Sequence, residues 1–157
     1  MMNKQELIDS AGSLTTPSSE AATIYDVKRD ILATQVTEEL KSREDLDRLI
    51  GQGNTRMMED NHRNHALYMA SVFKLFIPEQ FVETIIWVYR AYLSHGFYLA
   101  YWPAQLNAWL DAMDRELPAA QAGELRPFYE WLIIHQADFV ALSEKETSIW
   151  ENPPAHS

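Results

Sequence analysis

The chain has 157 residues, 46% of them hydrophobic and 23% charged, which is the length and mix of one globular domain rather than two, or of a disordered segment. With 13 Lys and Arg against 23 Asp and Glu its formal net charge is −10, which opposes nucleic-acid binding, because that needs clustered cations to displace phosphate counterions. It has no cysteine, so disulfides, thiolate nucleophiles and cysteine-ligated zinc or iron–sulfur centres are excluded.

The N-terminal run Met1-Met2-Asn3-Lys4-Gln5-Glu6 lacks the apolar stretch of a secretion signal. The most apolar region, residues 81–102, carries Glu83, Arg90 and His95 and is too polar for a membrane span. A soluble, cytoplasmic protein with no membrane partner is the expectation. No segment alternates apolar and polar residues for long enough to argue for a strand. The expected class is therefore all-α, a single helical domain of about five to seven helices, either globin-like or an up-and-down bundle, since both use the same periodicity.

Residues 1–20 read as a short helical turn followed by a polar, mobile connector from Ser13 to Ser19. The helical domain spans residues 21–146. Its first helix, from Ala21 to Ser42, shows Ile24, Val27 and Ile31 on one side and Leu32, Val36 and Leu40 beside it. Arg43 to Ile50 gives a short helix that stops at Gly51-Gln52-Gly53, and a long helix follows from Asn54 to Phe76. Pro78, Pro103 and Pro127 each open an apolar-periodic run, where a missing N–H costs nothing in the first turn. The helix from Pro78 to His95 is apolar nearly all round, which places it at the centre of the domain or at an oligomer interface, and Gly96 is its stop signal. The helix from Pro103 to Leu117 is cleanly amphipathic, with Leu106, Trp109, Leu110, Met113 and Leu117 on its apolar face. The last helix runs from Glu124 to Lys145, and residues 147–157 form a fraying tail.

Histidines fall on the apolar faces. Met58, His62, His65, Met69, Val72 and Phe76 share one stripe of the long helix, and Phe128, Leu132, His135, Phe139 and Leu142 form a second stripe on the last one. Neutral imidazole is the commonest metal ligand and an axial ligand of haem iron, so His62, His65 and His135 are candidate ligand contacts, with Tyr92 and Trp109 as pocket walls. The competing reading is that these histidines are core residues satisfied by carbonyls or tyrosines. Glu59 and His62 have the Glu-x-x-His spacing of di-iron bundles, but Glu130 and His135 lie about 140° apart around their helix and cannot supply the second copy. No phosphate loop, dinucleotide fingerprint, nucleophile elbow or His-Glu-x-x-His occurs, so no catalytic residue is assigned.

Two resemblances follow from these residues. The stretch Glu59 to Leu117, with Pro78, Phe81, Trp87, Gly96, Leu106 and Leu110, resembles the helical segment that precedes the cobalamin-binding domain of bacterial cobalamin-dependent regulators. That resemblance covers about a third of the chain. The sequence has no Asp-x-His-x-x-Gly signature and no α/β part after it, so the resemblance implies the helical part standing alone. The all-α content, with Tyr101 and Trp102 following His95, also resembles globin-type sensor domains. The nearly all-apolar Pro78 helix, the surplus of aromatic residues and the lack of a catalytic constellation lead to the expectation of a non-enzymatic sensor or regulatory module that acts through protein–protein contacts as a homodimer. The alternative is a sensor that binds haem, cobalamin or another tetrapyrrole.

Overall fold

The computed structural model describes residues 1–145, and the expected fraying tail of residues 147–157 lies outside them. Eight helices follow in order: α1 Lys4–Ala11, α2 Ser19–Lys41, α3 Leu46–Ile50, α4 Thr55–Lys74, α5 Pro78–Ser94, α6 Tyr101–Glu116, α7 Ala119–Ile134 and α8 Gln136–Lys145. No strand occurs among the described residues. The count exceeds the expected five to seven because the last helix is two. The chain leaves helical geometry at His135 (φ −98°, ψ 15°), although no glycine or proline marks the break. Pro127 also differs from expectation. It lies inside α7, which starts at Ala119 with Pro118 in the capping position. The carbonyl four residues back, that of Gly123, lacks its helical partner there.

Helix α2 is the hub, packing on α4, α6 and α7, while α5 packs on α1 and α8. Ser18 starts α2: its hydroxyl oxygen accepts from the Ala21 N–H, and its own N–H and O–H donate to the Glu124 carboxylate at 2.8 and 3.0 Å. Of the two apolar stripes read on α2, only the second is buried. Leu32, Val36 and Leu40 are fully enclosed together with Tyr25, whereas Val27 is 71% and Ile31 46% exposed. One face of α5 is buried in the core through Phe81, Val82, Ile85, Ile86 and Tyr89, while Trp87 on the opposite side stays 52% exposed. Within residues 1–20, α1 adds Leu7 and Ala11 to the same core.

The α3–α4 turn is clasped to the turn between α5 and α6. The Asn54 side-chain amide donates to the carbonyls of Ile50 and His95, both at 2.8 Å, and the Tyr98 N–H donates to the Leu49 carbonyl at 2.8 Å. Gly51 makes this approach possible. Its φ is +81°, and a Cβ there would stand 2.9 Å from the Gly96 carbonyl oxygen. Gly51→Ala combines a left-handed backbone penalty with a backbone clash and is expected to cost about 2 kcal/mol or more, read as a lower urea midpoint at unchanged m-value.

Candidate functional site

The polar residues of the interior form two hydrogen-bonded chains between α2, α4, α6 and α7. In the first, Thr37 Oγ1 lies 2.8 Å from His62 Nδ1, His62 Nε2 lies 3.0 Å from the Tyr101 hydroxyl, and that hydroxyl donates to Asn61 Oδ1 at 2.6 Å. The proton order follows from this arrangement. Because the Tyr101 O–H is given to Asn61, its oxygen accepts from His62 Nε2–H, and Nδ1 accepts from Thr37. His62 is fully enclosed and neutral, its pKa lowered to about 3 by loss of solvent and, secondarily, by the Arg63 charge.

In the second chain His65 Nε2 lies 2.9 Å from the Tyr129 hydroxyl, which lies 2.8 Å from that of Tyr25. His65 is also held near a pKa of about 3, first by burial and then by neighbouring His62. Burial drives Tyr25 and Tyr129 upward, so the chain is neutral throughout. Trp109 roofs it. Its ring centroid is 4.7 Å from that of His65, and its indole N–H donates to Gln105 Oε1 at 3.1 Å.

The five sequence candidates therefore do not converge. His65 and Trp109 touch, and His62 lies one turn away with both ring nitrogens engaged, so it could ligate iron only by giving up Thr37 or Tyr101. Tyr92 sits half-buried beside the Asn61 side chain and lines an outer groove of about 230 Å³ with Met57, Asn64, Trp87, Ala91 and His95. Glu59 pairs with Lys41 at 3.0 Å, at the surface, and does not pair with His62. Among the described residues no group of three or more His, Cys, Asp or Glu side chains could hold a metal ion.

His135 lies elsewhere, at the α7–α8 break. Its Nδ1 is 3.0 Å from Asp138 Oδ2, and its Nε2 is 3.5 Å from Ser10 Oγ, which accepts from the Trp131 indole at 3.0 Å. The order Ser–His–Asp is that of a nucleophile triad. The surroundings are not. The N–H groups of Gly12, Ser13 and Leu14 are committed to the carbonyls of Ile8, Ser10 and Ala11, so none of these three is free to form an oxyanion hole. The Met2 N–H donates to the other Asp138 oxygen at 3.0 Å, and the cluster as a whole acts as a clasp holding α1 against α7 and α8.

Sequence reading missed Tyr25, Tyr129, Asn61 and Gln105, and it named Tyr101 only as an aromatic following His95 and not as a partner of His62. Two of them carried a signal. Tyr25 shares the α2 face of Leu32 and Val36, and Tyr129 sits one turn from Leu125 and Leu132, so a buried hydroxyl needing a partner was implied at both. Compared with protein-family models, characterised proteins and solved structures, the chain matches none of them.

Proposed function

We propose that the chain is a non-enzymatic regulatory module that works by protein–protein contact, and that the contact surface is the outer face of α2. The observation that carries this reading is the pair Val27 and Ile31, 71% and 46% exposed, one turn apart on a helix of 23 residues. Scattered exposed apolar residues are ordinary; two in helical register beside a groove are less so. Ile24 and Val27, with Pro118 before α7 and Gln121 in its first turn, line a groove of about 360 Å³.

The partner's chemistry follows from what surrounds that stripe. Glu20, Asp30 and Glu38 are exposed on the same helix and none enters an ion pair among the described residues. A second copy of the chain is a poor occupant, because antiparallel pairing that sets Val27 opposite Ile31 also sets Glu20 opposite Glu38. A basic amphipathic helix fits both the apolar stripe and the acidic flanks. The interior supports a non-enzymatic role: His62 and His65 are hydrogen-bonded and neutral, and the Ser10–His135–Asp138 cluster is a clasp.

The test is fluorescence anisotropy with a synthetic helical peptide of about 18 residues, leucines on one face and lysines beside them. Binding is expected to weaken with salt and to fall by about tenfold in the double variant Val27→Ser, Ile31→Ser, which keeps every charge. Binding that ignores the double variant, or binding of the same peptide with glutamates for lysines, would contradict the proposal.

A further inference from the structure

We infer that the narrow cleft at the meeting of α4, α5 and α6 is a binding site for one neutral, hydrogen-bonding guest of one or two heavy atoms, anchored by the Tyr89 hydroxyl. Tyr89 is 2% exposed and its hydroxyl has no hydrogen-bond partner among the described residues. An unpaired buried hydroxyl is costly, and native interiors contain few of them. The side chain has no freedom to turn away. Its ring is stacked on Trp102 at 4.5 Å with a 16° tilt, and on Phe139 at 5.6 Å with a 12° tilt.

The cleft that Tyr89 lines has a cavity volume of about 20 Å³. That is above the roughly 10–15 Å³ needed for one water and far below the several hundred needed for a tetrapyrrole. Its other polar walls are Asn61, His65 and Gln105, with no carboxylate, lysine or arginine among its lining residues, so an ion would lose hydration without compensation. Asn61 already gives its oxygen to Tyr101 and Gln105 gives its oxygen to the Trp109 indole. Each of these oxygens keeps a second lone pair and each amide its N–H donors, so the cleft suits a guest that both donates and accepts hydrogen bonds. Water has this chemistry and this size.

Magnetic relaxation dispersion of water ¹⁷O on the full chain tests the site, together with urea unfolding, in wild type and Tyr89→Phe. The expected result is a long-lived water in the wild type whose dispersion step is lost in Tyr89→Phe, with the unfolding equilibrium constant rising about tenfold. The inference is overturned if the wild type has no such step, if Tyr89→Phe leaves the step unchanged, or if Tyr89→Phe is as stable as the wild type or more stable. The last outcome is what deleting a truly solitary hydroxyl would give.

Discussion

Lowering the pH from 7 to 5 is expected to remove about 4 kcal/mol of folding stability, and this loss belongs to His62 and His65. Both have a folded pKa near 3 against an unperturbed value of 6.5, so in this interval the unfolded chain binds more protons than the folded one. Their contribution to stability is complete above about pH 6.5 and is lost progressively as the pH falls toward 3, at up to about 1.4 kcal/mol per pH unit for each ring. The carboxylates with lowered pKa, Asp26 and Asp45, are held down chiefly by hydrogen bonds from Lys74 and Arg43. They lose their stabilising partnerships below their unfolded value of 3.8, outside this window. Urea titrations at pH 7, 6 and 5 read the slope directly. His65→Gln should remove about half of it. A flat profile between pH 7 and 5 would mean that the folded protein accepts protons on both rings.

The second large effect is expected from Trp109→Ala, which should cost about 3–5 kcal/mol. Trp109 is fully enclosed, lies against His65, and stacks with Tyr25 at 6.5 Å and Tyr129 at 6.2 Å. Truncation leaves a cavity where four helices meet and frees the Gln105 oxygen. Trp109→Phe restores most of the volume but not the N–H, so it should recover most of the loss and retain a deficit of about 1–2 kcal/mol. Equilibrium unfolding of the two variants beside the wild type separates volume from hydrogen bonding. Equal losses would show that the Trp109–Gln105 bond, rather than packing, dominates at this position.

Helix class and most helix starts could be read from local chemistry, because Pro78 at a first turn and Gly96 at a stop act within a few residues of themselves. The α7–α8 break could not. The stripe Phe128, Leu132, His135, Phe139 continues across it, and the device at the break is a contact between His135 and Ser10, 125 positions away. On α2 periodicity offered two adjacent stripes and could not choose between them. The choice rests on Tyr25, whose hydroxyl is satisfied by Tyr129, 104 positions on. The same limit applied to the interior. The spacing of His62 and His65 announced burial, but whether a buried imidazole meets a metal or a hydroxyl depends on the facing helices. Here those helices bring Tyr101 and Tyr129, at separations of 39 and 64 residues.

The claim that α2 is the working surface is tested most directly by a ¹H–¹⁵N NMR titration of the full chain with the basic amphipathic peptide. The expected result is shifts centred on Ile24, Val27 and Ile31 and on the first turn of α7 at Ala119 to Gln121, with the amides of buried His62 and His65 unmoved. Shifts centred on Trp87 to Tyr92 with α2 unchanged would contradict it and move the contact surface to the outer groove of α4 and α5.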